Sequence, residues 1–387
     1  MALKKREITI FDLKTRMGNN QEQKSITLVL KRARPLGVNH VLKRTFKNKY
    51  TLKDILNILI VTLLVVGCAE KKSKSKELAN SSKTIEYNGT ASITQGIATT
   101  IAEDIYSCER GRKTDVGEIT SIDGKKWTVP AQTNYTNNDF PFAADLFNSC
   151  EGKNYATTQE ALSHFDDSKI MEIDEDGAVF TAYIFADNYF EMYVNGIAVG
   201  KDKVPFTQFN SSIVKFKVEK PFTIAMKLVD WEEHLGVGCE ANRGKSFHAG
   251  DGGMVAVIKD EQNNIIATTN ENWKAQTFYT APIKDLNCVS EDGNYRYSKN
   301  CDVNGGQDGT SFYALHWEIP TDWVKTDFND SNWPNATTYT NQNIGVDNKP
   351  SYTNFTSIFD DSENDAKFIW STNVILDNEV LVRYTVN

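Results

Sequence analysis

Three side chains able to bind a metal or attack a carbonyl, His234, Cys239 and His248, fall in one Gly-rich stretch, WEEHLGVGCEANRGKSFHAGDGG (residues 231–253). As zinc ligands, with Glu232 or Glu233 as the base acting on a bound water, they would make a metal-dependent hydrolase. Cys239 beside either histidine would instead supply a thiolate nucleophile. The spacing matches no familiar zinc pattern. A loop in which Trp231 packs and the glycines turn the chain accounts for the same residues. GDGG (Gly250–Gly253) lacks the Lys-Ser/Thr and the following helix of a phosphate-binding loop, so it reads as a turn into a strand at Met254.

A carbohydrate site needs an aromatic platform for the CH face of a sugar and a few polar groups for its hydroxyls. Tyr189, Trp231, Trp273, Trp317 and Trp333 are the available aromatics. Asn188, Glu232, Arg243, His248 and Asp251 are the polar groups in neighbouring loops. Residues just beyond strand ends collect where loops collect, and binding residues sit there disproportionately. Tyr189, Trp231, Arg243, His248 and Asp251 are therefore expected to line one cleft, with Asn188 and Glu232 beside it. Oxygen-rich clusters at MEIDEDG (171–177), DVNGGQDG (302–309) and DDSENDA (360–366) offer the donors Ca2+ prefers, though none fits a helix-loop-helix calcium site. Solvated acidic loops explain them equally.

Charge narrows the partners. Residues 1–68 hold 14 Lys+Arg and 4 Asp+Glu, leaving 29 basic and 47 acidic residues downstream, a net charge of −18. Such a surface repels nucleic acid and favours cations or neutral ligands.

The only strongly apolar run, Ile55 to Val66, is too short for the roughly 20 residues that span a bilayer. It has the length of a signal-peptide core, and Lys43, Arg44, Lys47, Lys49 and Lys53 precede it. Val65-Val66-Gly67-Cys68 resembles a bacterial lipobox, in which the cysteine becomes the lipidated N-terminus. That resemblance makes Cys68 an acyl anchor, residues 1–67 a signal region, and the chain an exported protein held at the cell envelope. No ordinary signal has a fifty-residue head, and the next methionine is Met17. The reading frame is therefore expected to open near Lys43 at a non-methionine codon, the earlier residues being a translation artefact. The alternative is a basic cytoplasmic extension. No fold is expected of it in either case.

Five cysteines follow Cys68: Cys108, Cys150, Cys239, Cys288 and Cys301. None forms a CxxC pair, which disfavours a zinc ribbon, and an oxidising compartment sustains disulfides. Of fifteen connectivities, loop length favours Cys108–Cys150 and Cys288–Cys301, with Cys239 left over.

Residues 69–88, rich in Lys and Ser, have no apolar period and form a disordered tether. Residues 89–170 read as a small mixed subdomain. ITSIDGKKWTVPA gives two short strands around Asp123-Gly124, and Thr157 with Glu160 forms a capping box for one helix. From about Met171 the chain is nearly all strand. Val214, Phe216 and Val218 alternate with Lys215, Lys217 and Glu219, and TIAMKLVD, GMVAVIKD and NEVLVRYTV repeat the theme. Asn195-Gly196 is the preferred dipeptide of a two-residue hairpin, with Phe190, Met192 and Val194 facing the core. Many short strands and little helix point to a mainly β, antiparallel sandwich.

The order FADNYFEMYVNG, NENWKA, FNDSNWPNA and FIWSTN…VLVRYTV resembles the galactose-binding-like jelly roll over residues 171–387. FADNYFEMYVNG with HAGDGGMVAV is also similar to a group of uncharacterised secreted bacterial proteins of that fold. The resemblance implies a binding scaffold, a core role for Trp333, and a structural Ca2+ in such jelly rolls. A Cys-stapled insertion at about 282–312 departs from the pattern. The expected function is a lipid-anchored, non-catalytic binding or adhesion module recognising a glycan or an envelope protein. The runner-up is a metal-dependent or Cys/His hydrolase using the 231–253 loop.

The export reading has a direct test. Intact mass of protein from its native host should place the N-terminus at Cys68 with an acyl adduct. Cys68→Ser should leave the membrane fraction, since two or more acyl chains are what hold such a protein there. A mature chain beginning upstream of Cys68 refutes it.

Overall fold

In the computed structural model of the chain, residues 89–241, 247–302 and 309–387 are described in full, and strands within residues 14–47 by their backbone. Cys68, the apolar run, the tether and Arg243 lie outside the described residues, as does most of DVNGGQDG. Two compact units are distinguished, Met1–Ser82 and Lys83–Asn387. In the first, Lys14–Arg16, Ser25–Arg32 and His40–Lys47 form a three-stranded antiparallel sheet, where no fold was expected. The β-branched and aromatic residues of SITLVLKR and HVLKRTFK suit that pairing.

The second unit is mainly β. One sheet runs in the order Thr337–Tyr339, Phe368–Trp370, Gly253–Asp260, Ala178–Asp187, Ser211–Val218, Ala144–Phe147, with Ile265–Thr268 and Met171–Glu172 pairing alongside. The other runs Ile197–Lys201, Tyr189–Val194, Phe222–Val229, Asp377–Val386, Lys274–Ile283, Tyr313–His316, Ser92–Gln95. Pairing within them is antiparallel except at Met171–Glu172. Residues 89–170 thus supply strands to both sheets.

One core joins the two. Phe180, Ala182 and Ile184 of the first sheet share a buried cluster with Phe190, Met192, Ile224, Met226, Val380 and Val382 of the second. Burying each large apolar side chain contributes about 1.5–3 kcal/mol. The same cluster takes in Ile344, Tyr352, Phe355, Ile358 and Phe359 from short C-terminal helices. On its other side the second sheet carries a further apolar layer, including Ala225, Phe278, Leu315, Trp317, Trp323, Trp333 and Leu381. Trp333 is therefore interior, as the resemblance implies.

Local expectations hold where one face is wet. Ser211–Val218 alternates buried and half-exposed from Val214 onward. The hairpin turns at Asn195 (φ +50°) and Gly196 (φ +83°), left-handed values that Asn and Gly tolerate best. Thr157 caps Thr158–Ser163 by accepting from the Glu160 amide at 3.2 Å, but the capping box does not close, because the Glu160 carboxylate accepts from the Ala156 amide at 2.9 Å rather than from that of Thr157.

Burial on both faces forces charged side chains inside, where each needs partners. Lys201 Nζ donates to the carbonyls of Asn134, Tyr135 and Asn137 at 2.8, 2.8 and 2.7 Å. Glu191 accepts from Tyr189 and Tyr193 hydroxyls and from Asn134. These bonds strap the 134–137 segment across the second sheet.

Cys108–Cys150 and Cys288–Cys301 are bonded, and Cys239 is free and buried. No helix among the described residues is long and apolar enough to cross a membrane. Both facts are compatible with export.

Cys288–Cys301 closes only 13 residues around the Ser290–Asp292/Tyr295–Tyr297 hairpin. A loop of that size is worth about 3 kcal/mol in the chain-entropy model, less when it is peripheral. Replacing both cysteines by Ser should raise amide exchange across 286–301 while the sheet cores stay protected. Exchange rising equally in Phe222–Val229 would refute a local role.

Candidate functional site

The stretch expected to form a ligand rim turns inward instead. Where Phe222–Val229 ends, Trp231 donates its backbone N–H to Asn188 Oδ1 at 2.7 Å and its indole N–H to the Asp115 carbonyl at 3.1 Å. Its ring lies 6.0 Å edge-on to Tyr189, and both are essentially fully buried with Ala131, Tyr135, Phe206 and Val229. Buried on every side, neither ring can serve as a sugar platform.

Glu232 is equally interior. It accepts from the Gly236 amide at 2.7 Å, from the Gly238 amide, and from the Tyr279 hydroxyl at 3.0 and 3.2 Å. Burial pushes its carboxyl up to about 7, against the pull of those donors. Gly238 has φ +58°, and a Cβ there would meet the Ala281 carbonyl oxygen at 2.5 Å, so only glycine fits. His234 N–H to the Cys239 carbonyl, 2.9 Å, closes the loop around this carboxylate. Glu232 is a loop organiser, not an exposed base.

The remaining members stay close by. His248 Nε2 approaches Glu240 Oε2 at 3.3 Å, and Arg112 meets Glu240 at 2.6 Å and Glu233 at 3.3 Å. Asp251 is half-buried, its carboxyl raised to about 6 by burial and then by Glu240. Asp187 and Asp230 are buried and held well above the ordinary carboxylate range. Burial is the main cause in each, followed by their acidic neighbours, which for Asp187 are Asp251, Asp230 and Glu240. The expected residues, Arg243 aside, do gather in one region, but around buried carboxylates and without an aromatic-walled cleft.

Hydrolytic chemistry finds little here. Burial, with Glu232 and Glu240 nearby, holds the Cys239 thiol far above its usual range, so the nucleophilic thiolate is suppressed. His234 stacks on Phe247 at 3.8 Å. As they stand, no three His, Cys, Asp or Glu side chains among the described residues are grouped to hold a metal ion. Within the acidic clusters, Asp174 accepts from the amide of Glu219, just past the Ser211–Val218 strand, and Asp361 accepts from the Glu363 amide in a local turn.

A cavity of about 210 Å3 lies elsewhere, lined by Thr90, Ser92, Lys125, Trp127, Arg296, His316, Trp317 and Glu318. Its back is a stack of three rings: Trp127 on His316 at 5.1 Å, and His316 on Tyr279 at 4.7 Å. Burial pushes His316 down to about 3, so the ring is neutral, and its Nε2 bonds Thr94 Oγ1 at 2.9 Å. Ser121 accepts from the Trp127 indole N–H at 3.2 Å. The Ser121 and Ser92 hydroxyls hold the neighbouring Asp123 down to about 2. Arg296 lies 4.5 Å over Trp317, whose indole donates to Glu291 at 3.2 Å. Lys125 and Glu318 pair across the rim at 2.7 Å. The wall offers hydroxyls, one guanidinium, one ammonium and one carboxylate around aromatic edges, and it has no nucleophile–base pair. Its suits hydrogen bonding to a small polar molecule.

Trp317 was among the available aromatics, but Trp127, His316 and Arg296 were not singled out. They meet because Ser92–Gln95 pairs with Tyr313–His316 across more than two hundred residues, which no local pattern reports.

Comparison with protein-family models, with curated proteins and with solved structures yields no match to this chain.

The buried carboxylates fix a pH profile. Asp202 and Glu232 are raised to about 7 and Asp251 and Asp377 to about 6, with burial the first cause in each. Above the unfolded value near 4, the folded chain keeps protons that the unfolded chain has released, so stability falls as pH rises through about 4–7. His316 acts oppositely: below 6.5 the unfolded ring binds a proton that the folded one refuses. Four raised carboxylates outweigh one histidine, so the melting temperature should peak near about pH 4 and decline toward about pH 8, and Glu232→Gln should flatten that decline. A melting temperature still climbing at pH 8 would refute the assignment.

Proposed function

We propose that this chain is a non-catalytic binding module, anchored at a bacterial envelope membrane through Cys68, and that it binds carbohydrate in the cavity beside Trp127. The two sheets would then be a jelly-roll sandwich of the galactose-binding-like type. The observation that carries the reading is the cavity itself, sized for about one sugar ring and rich in hydroxyl and charged groups from strand ends and the turns beside them. The ring stack behind Trp127 holds that wall in place before any ligand arrives, and preorganisation of this kind reduces the cost of binding. The downstream net charge of −18 speaks against nucleic acid as the ligand. The suppressed Cys239 thiol speaks against the hydrolase alternative.

The test is a glycan array probed with the purified full chain, followed by titration of any hit. Trp127→Ala should weaken binding by about tenfold or more, equivalent to about 1.4 kcal/mol. Lys125→Ala, at a rim position whose side chain is 51% exposed, should weaken binding while leaving the melting temperature nearly unchanged. Absence of any glycan hit, or both variants binding as wild type, rejects the proposal.

A further inference from the structure

The three-stranded sheet of Thr99–Ala102, Val116–Thr120 and Lys126–Val129 has two unlike edges. One edge, Lys126–Val129, opens on an exposed lysine paired with Glu118 at 2.8 Å and runs into Pro130. Lysine and proline are residues by which natural sheets keep a free edge from pairing with another chain. The other edge, Thr99–Ala102, has neither. No charged residue occurs from Gly89 to Ala102, in a chain of which 24% is charged. Thr99, Thr100 and Ile101 are exposed in succession, and among the described residues the strand pairs only with Val116–Thr120.

This edge is nonetheless held firmly. Ala98 packs with Ile119, Val129 and Leu235 on the inner side, and its amide donates to the Leu235 carbonyl at 2.7 Å. The Gly96 amide donates to the Phe312 carbonyl at 2.9 Å and the Ile105 amide to the Thr114 carbonyl at 3.1 Å, so the chain is pinned on both sides of the strand. The three most exposed large apolar side chains among the described residues belong to this sheet and its connections: Ile97 at 49%, Ile101 at 60% and Ile122 at 63%. Isoleucines beside a fixed, uncharged row of backbone N–H and C=O groups make a template for one more strand.

We propose that the Thr99–Ala102 edge is a self-association surface, where a second copy of this chain adds its own Thr99–Ala102 antiparallel about a two-fold axis. Such an axis sets each residue near it against its own counterpart, so a charged side chain there would meet its like. The uncharged run from Gly89 to Ala102 meets that requirement. With the axis between Thr100 and Ile101, the first charged residues after the strand, Glu103 and Asp104, fall opposite Ala98 and Ile97 of the second copy, not opposite themselves. A charged peptide from a different protein would find nothing on this strand to read. Pairing also covers Ile97 and Ile101, adding apolar burial to the ladder. The ladder is short, and Ile101 is skipped in the pairing with Val116–Thr120, so the interface is small and its Kd is about 10 µM. The surface depends on neither the cavity nor the anchor.

The experiment is sedimentation velocity of the purified full chain over about 1–100 µM, in a mild nonionic detergent that keeps the apolar run at 55–66 from associating. Wild type should pass from one chain to two across that range. Ile101→Lys and Ile101→Glu should each stay monomeric throughout. Their melting temperatures in dilute solution should match wild type, because the side chain is 60% exposed. Mixed in equal amounts, the two variants should pair again, since residue 101 of each copy lies near that of the other. Recovery on mixing separates a lost interface from a damaged fold. Wild type remaining monomeric at about 100 µM overturns the proposal and leaves the edge to another occupant. So does a dimer that both variants leave intact, or a mixture that stays monomeric.

Discussion

Glu232 is the point on which this region of the molecule turns. One buried carboxylate gathers the amides of Gly236 and Gly238 and the hydroxyl of Tyr279, and so fixes the loop that leaves Phe222–Val229. Tyr279 belongs to a central strand, Lys274–Ile283, and its ring continues into His316 and Trp127. A loop on one side and a cavity wall on the other therefore share a single support. Removing the carboxylate would free two amides and a phenol in the interior, each with a desolvation cost of about 1–3 kcal/mol.

Ionic side chains are distributed by the same logic. The second sheet carries Glu191, Lys201, Lys227, Glu379 and Arg383 almost wholly out of water. Lys227 is answered by the charge of Glu379 at 3.1 Å and by the Gln132 carbonyl, and Arg383 by Asp330 at 2.8 Å and backbone carbonyls, whereas Glu379 Oε1 has the Lys227 ion pair but no hydrogen-bond partner. Such pairs add little net stability over apolar packing, but breaking one strands its partner. They fix how the segments lying over the sheet are seated. Among the described residues, Asp230 Oδ1 near Gly250 is a further buried carboxylate oxygen with no hydrogen-bond partner.

How far the sequence foretold this depends on what covers each element. The Asn195-Gly196 hairpin, the inward Phe190, Met192 and Val194, the Thr157 cap, both disulfides and the period-two run at 214–218 were all legible, because each is decided within a few residues or by loop length. Phe222–Val229 shows the limit. With both faces covered, it buries Thr223 and Lys227 as thoroughly as Ile224 and Leu228, and alternation no longer tells inside from outside. Trp231 and Tyr189 were assigned to a rim for the same reason: an aromatic next to polar neighbours reads alike whether it caps a core or meets a ligand. The Trp127 cavity was illegible because its walls come from residues 90, 127, 296 and 317, joined only by strand pairing.

Ser92–Gln95 is the outermost strand of its sheet, paired with one strand and tied to the 121–123 turn by the Ile122 amide and Asp123, and the described chain enters it directly from residue 89. It also carries Ser92 in the cavity wall, with Thr90 just before it. A pull delivered from the N-terminal side would load this strand first and peel it from the Ser92–His316 pair inward. The cavity would lose its Thr90–Ser92 side before either sheet core felt the force. Tension on the leading end would thus fall first on Thr90 and Ser92, the residues that close one side of the cavity.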